Sequence, residues 1–440
     1  MVSKLRNQHK EYRKQTSFSI NMNSQTNHRR YYLTIIGYLL TFNFTLQAQF
    51  ITIWKTDNPG VSETHQITIP GKGSYEIAWQ EIDNPTNKGR AQGKDATTIS
   101  FPKSGIYQVS ISGDLKQIRF DNKGDKEKLL TIEQWGDIAW ASMEGTFNGC
   151  THMTCVATDT PNLSQVKSLA YMFARCLKFN GKIGHWDVSK VTDMSNMFLK
   201  AKSFDQPIGH WDTGKVTNMS RMFHWAIDFN EPIDNWNTSK VTNMSGMFYR
   251  AALFNQSIGK WNTSQVTDMS MMFMYATFNQ PIGKWNTSNV TNMSKMFHWA
   301  IDFNQPIGNW NTSNVTNMSK MFHGAKVYNQ PIGNWNTSQV TDMSTMFSGA
   351  TFFNQPIGNW NTSKVTDMMA MFSGATSFNQ PIGNWNTSQV TDMNWMFSEA
   401  TSFNQPIGSW DVSKVTTMQE MFNSATHFKQ NLSHWKQLKK

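Results

Sequence analysis

Residues 303–325 read FNQPIGNWNTSNVTNMSKMFHGA, and the same string returns with small changes along most of the 440-residue chain. Tryptophans mark the period: Trp186, Trp211, Trp236, Trp261, Trp285, Trp310, Trp335, Trp360, Trp385, Trp410 and Trp435. Every interval is 25 residues except that from Trp261 to Trp285, which is 24, the missing residue lying between Ala276 and Phe278. Periods of this size belong to stacked repeat architectures, in which a unit too small to bury its apolar face is covered by its neighbours. RMFHWAIDFN and KMFHWAIDFN recur 74 residues apart, which points to duplication of several coils together.

Within one unit, VTNMSKMFHGA places apolar residues at offsets 0, 3, 6, 7 and 10, for example Val290, Met293, Met296, Phe297 and Ala300. At about 100° per residue these fall in one arc of roughly 120°, so the spacing predicts a short helix, with Ser288 as its cap. PIGNWN reads as a short strand begun by Pro281, with Ile282 and Trp285 facing inward. The expected fold is therefore an α/β solenoid, leucine-rich-repeat-like, of about eleven 25-residue coils of short strand plus short helix. Stacking at about 4.8 Å per coil makes a rod on the order of 50–60 Å long. The tryptophans from Trp186 to Trp410 form its structural ladder; on the outside they would instead make an aromatic binding strip. The Asn or Asp after each Trp, such as Asn286 and Asn311, is placed to bond the backbone of the next coil.

Upstream the pattern changes. Arg29 and Arg30 precede the apolar run YYLTIIGYLLTF and then Ala48, the layout of a signal peptide, with Met22 a second possible start. The run is shorter than the ~20 residues of a spanning helix, so no stable membrane span is expected after its removal. From Phe50 the runs FITIW, HQITI, SYEIAW, TTISF, GIYQVSIS and QIRF alternate between turn residues and predict a small β-sandwich that caps the first coil. The divisions are 1–49, extension and signal peptide; 50–125, β domain; and 126–440, solenoid. Within the last, 126–178 hold degenerate opening coils and 179–435 regular ones. Of the net charge of +10, residues 1–48 carry +6 (seven Lys or Arg against Glu11), so the basic balance does not argue for nucleic-acid binding.

The string W-[ND]-[TV]-S-x-V-T-[ND]-M-S-x-M-F-x-x-A-x-x-F-N-x-P-I, over residues 163–435, resembles the repeat of BspA-like leucine-rich-repeat bacterial surface proteins. Its 25- to 26-residue units occur in surface proteins and lipoproteins of Mycoplasma, Listeria and Bacteroidetes type. QWGDIAWASMEGTFNGC and residues 50–125 resemble the segments that lead into such arrays. The resemblance implies a secreted or cell-surface location and a role in adhesion or recognition, without a known ligand. The partner expected is a protein or glycan on another cell or matrix, bound by a monomer. No cofactor or catalysis is expected, since no Ser-His-Asp arrangement, paired acid ladder, phosphate loop or dinucleotide fingerprint appears. No lipoprotein-type cysteine stands near Ala48 and no sorting domain follows HWKQLKK, so secretion and display both stay open.

Other chemistries read as structure. Met-x-x-Met pairs such as Met318 and Met321 lie on the apolar arc, which favours core over copper. Cys150, Cys155 and Cys176 cannot close a disulfide framework; Cys150 and Cys176, three residues after equivalent phenylalanines, read as small buried side chains or one inter-coil bridge. Asp121, Gly124 and Asp125 miss calcium-loop spacing and read as a turn. A regular Thr column (Thr213, Thr238, Thr263, Thr287, Thr312, Thr337, Thr362 and Thr387) raises an alternative, an ice- or surface-binding solenoid. Ligand information must sit where coils differ. The two positions after the coil Phe differ most: His224-Trp225, Tyr249-Arg250, Met274-Tyr275, His298-Trp299 and His323-Gly324, then Ser348-Gly349 and Ser373-Gly374. The binding residues expected are His224, Trp225, Tyr249, Arg250, Tyr275, His298, Trp299 and His323; metal ligands and catalytic residues are not expected.

Overall fold

The structure, a computed structural model, describes residues 49–435. The expected signal peptide and the alternative start lie outside them. The first part of the chain forms β1 (Phe50–Lys55), β2 (Gln66–Glu81), β3 (Lys88–Ser100), β4 (Ile106–Ile118), β5 (Leu129–Gln134) and β6 (Thr154–Cys155). These make one six-stranded sheet of order β3-β2-β4-β1-β5-β6, antiparallel except for the parallel β5/β6 pair. The expected β-sandwich is thus corrected to a single sheet. The reason is strand length: β2 has 16 residues and β4 has 13, so each pairs along both edges and the sheet never splits. Register shifts at Pro70/Ser74 and Lys72/Gly73 bend it.

The sheet runs directly into the repeats. Thr131 of β5 pairs with Thr154 of β6, and Phe50 lies against Trp135 and Trp140 at ring-centroid distances of 5.7 and 5.4 Å. The N–H groups of Phe120, Asp121 and Asn122 donate to the carbonyls of Thr146, Gly145 and Asn148. These are carbonyls of the first coil, which has no earlier coil to bond. Asp125 serves the β domain instead of a cation: its buried carboxylate accepts the N–H groups of Val61, Ser62 and Thr68, and buried Lys128 donates to the carbonyls of Ser62, Glu63 and Gln66.

Beyond β6 the coils stack in parallel register. Each makes one bridge to the next, at Asn292↔Asn317 and its equivalents from Ser168 to Thr417. The described residues contain no α-helix, so the expectation of an α/β, leucine-rich-repeat-like coil of strand plus helix is overturned. In its place VTNMSKMFHGA runs as a chain of tight turns. Met296, His298 and Ala300 donate back three residues to Met293, Lys295 and Phe297. The alternate groups, Met293, Lys295, Phe297 and Trp299, donate to Asn317, Ser319, Met321 and His323 of the next coil. Left-handed residues at Lys295 (φ 59) and Trp299 (φ 55) turn these peptides along the stack, and the same two positions recur in every regular coil. The physical cause is length. An isolated helix of some ten residues is marginal in water, whereas stacking gives every second N–H a partner in the next coil.

PIGNWN is likewise a turn: the Ile282 carbonyl accepts both the Trp285 N–H and the indole N–H of Trp310 in the following coil. The Gly at its centre permits close approach, since a Cβ on Gly308 would lie 2.4 Å from the Pro331 carbonyl oxygen. Trp310 is 3% exposed and parallel to Trp285 at 6.3 Å. Val290, Met293, Met296, Phe297 and Ala300 are all fully buried. The inter-coil amide ladder uses a different Asn from the one after Trp: Asn304 N–H donates to Asn279 Oδ1, and so on to Lys429 on Asn404. Asn286, after its Trp, caps its own coil by accepting Ser288 N–H. The one-residue deletion is taken up at Thr277, whose hydroxyl bonds the Ala252 carbonyl at 2.7 Å.

Candidate functional site

The second position after the coil Phe is left-handed in every regular coil, and its side chain changes from coil to coil. Gly324, Gly349 and Gly374 fill it with φ of 70, 67 and 68°, a conformation glycine adopts freely. Trp225, Arg250, Tyr275 and Trp299 fill it with φ of 60, 56, 58 and 55°. A side chain there costs about 1–2 kcal/mol per residue, because Cβ crowds the following carbonyl. Strain of this kind gathers at functional positions.

These side chains form one continuous stack. Lys200 Nζ lies 6.0 Å from the Trp225 ring, and the Arg250 guanidinium sits between Trp225 and Tyr275, 4.3 and 4.6 Å from their centroids. Trp299 is parallel to Tyr275 at 6.4 Å and covers Gly324, where a Cβ would meet the indole at 2.7 Å. Beside them run His224 and Tyr249, 4.3 Å apart, then His298 and His323, stacked at 4.7 Å. The structure therefore brings together all eight positions singled out in the sequence, each half-buried.

The histidines are neutral. Burial, then the charges of Arg221, Lys200 and Arg250, hold His224 down to about 4. Burial, then His323, Lys320 and Lys295, hold His298 down to about 3. Burial and Lys320 also lower His323. The Nδ1 atoms of all three are buried without a hydrogen-bond partner among the described residues. The same neighbours reveal a column that sequence reading missed, the x of S-x-M-F, which holds Arg221, Lys295 and Lys320. It too is left-handed, and the Arg221 stem passes over Gly246, beside His224 and Tyr249. Variation in that column was the available signal.

Other candidates resolve as structure. The Thr column from Thr213 to Thr387 is buried, each hydroxyl donating to the next coil's carbonyl, as Thr312 does to Asn336 at 2.9 Å. It offers no surface to ice. A different column, from Thr217 to Thr416, is exposed, with each hydroxyl bonded to the preceding Thr carbonyl. All three cysteines are free thiols; burial pushes Cys155 up to about 11 and raises Cys150 and Cys176 further. Cys176 Sγ donates to the Phe147 carbonyl.

A protein-family profile described as Mycoplasma protein of unknown function, DUF285, matches residues 141–258, 226–333, 248–360 and 353–439, about two-thirds of the chain in all. The chain belongs to this family. The DUF285 segments span every coil of the strip, and the six-stranded sheet lies almost wholly upstream of them. No curated protein and no solved structure matches the chain.

Proposed function

We propose that this DUF285 repeat protein is secreted or displayed at the cell surface, akin to BspA-like surface proteins. In this reading it is a monomeric, non-enzymatic recognition scaffold for a protein or glycan partner. One observation carries the reading: four successive coils hold Trp225, Arg250, Tyr275 and Trp299 in a left-handed position that the next three coils give to glycine. Large residues kept at a conformational cost, and stacked into one strip, suit recognition, where aromatic and Arg anchors dominate binding energy. The cysteines support the non-enzymatic part, since burial holds them far from reactive thiolates. The test is the combined variant Trp225→Ser, Tyr249→Ser, Tyr275→Ser and Trp299→Ser. Its binding to host-cell or polysaccharide preparations should fall at least tenfold, about 1.4 kcal/mol, with the fold retained. Unchanged binding by a folded variant removes the strip from the reading.

The exposed Thr217–Thr416 column favours a second reading, a binder of ice or another regular surface, because its side chains are held in one orientation coil after coil. A thermal-hysteresis measurement decides it; ordinary freezing behaviour ends it.

A further inference from the structure

We infer that the strip takes an extended anionic polysaccharide, a chain bearing sulfate or carboxylate groups. This rests on the recognition reading above and narrows it.

Between residues 196 and 324 the two left-handed columns carry five cations, Lys200, Arg221, Arg250, Lys295 and Lys320, and no carboxylate. Beyond Gly324 the same columns carry no cation and two carboxylates, Glu399 and Glu420. With Arg175 in the preceding coil, the cations of these columns run up to Lys320 and overlap the aromatic strip, and the later coils have none. It comes from Lys and Arg, the neighbouring histidines being neutral. It persists at neutral pH, as binding to a permanent polyanion requires.

Geometry selects among polyanions. Six coils at about 4.8 Å make a strip about 24 Å long. One sugar residue of an extended chain advances by roughly one coil spacing, so anionic groups along it can meet the cations of the coils, which stand in every coil from Lys200 to Lys320 except that of Met271 and Tyr275. An extended peptide advances about 3.3–3.4 Å per residue and drifts out of register. Single-stranded nucleic acid is bound largely by stacking bases on open aromatic faces. Here those faces are occupied: Arg250 lies on Trp225 and Tyr275, and Trp299 stacks on Tyr275 and covers Gly324. Stacking clamps the Arg250 guanidinium by its faces and leaves recognition to its in-plane N–H fork, the part that fits sulfate and carboxylate.

The experiment uses the full chain with four probes: heparin, neutral dextran, poly-glutamate and single-stranded DNA. One variant combines Lys200→Gln, Arg221→Gln, Lys295→Gln and Lys320→Gln. A charge-matched control combines Lys190→Gln, Lys215→Gln, Lys364→Gln and Lys414→Gln, all exposed in a column outside the strip. Heparin should bind in a salt-sensitive manner and more tightly than the other three. The strip variant should lose at least tenfold with its melting temperature kept, and the control should stay within twofold. Equal losses in both variants, no loss in the strip variant, or tighter binding of poly-glutamate or DNA would each overturn the inference. If heparin does not bind but the aromatic-to-Ser variant still loses cell binding, this inference fails and the recognition reading stands. If cell binding is also unaffected, both fail.

Discussion

Coils 221–324 and coils 345–424 share one backbone and wear different surfaces. In both, the core columns of Ile, Trp, Val, Met and Phe are buried, save Val415, Met418 and Phe422 of the last coil, which are partly exposed, and two left-handed positions recur, at Lys320 and Gly324 in one and at Ala370 and Gly374 in the other. The later coils fill the second of these with Gly349, Gly374, Glu399 and Ser424, whereas the earlier ones place Trp, Arg and Tyr there and stack them. The difference separates what holds the stack together from what it displays. Stability comes from columns that hardly vary, Tyr328 in a Phe column being one exception, and any recognition must come from those that do.

The largest effect should be the same in both regions. Trp310→Ala and Trp360→Ala each remove a fully stacked indole and its hydrogen bond to the preceding Ile carbonyl. Each should cost about 3–5 kcal/mol in chemical denaturation. A much smaller cost in either region would break the equivalence of the two scaffolds.

A smaller effect isolates the backbone cost. Gly374→Ala adds a Cβ whose nearest neighbour is 3.6 Å away, so it creates no clash and meets only the left-handed φ of 68°. A loss of about 1–2 kcal/mol is expected from thermal or denaturant unfolding. No loss would mean that the earlier coils bear no strain either.

The pH dependence should also distinguish the regions. His298 is held down to about 3 from 6.5, so between these values the unfolded chain binds more protons than the folded one. Stability is fully present above about pH 6.5 and declines as pH falls toward about 3. His224, held down to about 4, acts in the same direction. The combined variant His224→Ser and His298→Ser should flatten the stability profile between those limits, as measured by denaturant unfolding from pH 7 to pH 4. The later coils, with Ser348 and Ser373 in this column, contribute no such slope. An unchanged profile would show that the histidines are not held neutral.

Much of this organisation is legible in the sequence. The 25-residue period stands out, and the columns that repeat apolar residues are those the structure buries. The backbone between them is not legible. Val290, Met293, Met296, Phe297 and Ala300 face inward equally well from a helix and from alternating turns, because both place these offsets on one side. What distinguishes the two is handedness at Lys295 and Trp299, and neither residue type announces it. Gly324, Gly349 and Gly374 were the clue, since glycine recurring in one column marks a position where φ is positive. In the β domain, alternation marks the strands, but only the lengths of β2 and β4 decide between one sheet and two.

The central claim is that the strip is carried at the scaffold's expense. Its most direct test measures stability and binding together on one variant, Trp225→Gly, Arg250→Gly, Tyr275→Gly and Trp299→Gly. Relief of about 1–2 kcal/mol of strain per site should roughly offset about 0.5–1.5 kcal/mol of lost stacking per ring pair. The account predicts an unfolding free energy within about 2 kcal/mol of the parent, with binding to heparin and to cells reduced at least tenfold. A variant destabilised by about 4 kcal/mol or more that still binds as the parent does would contradict it, and would make these residues part of the fold rather than its display.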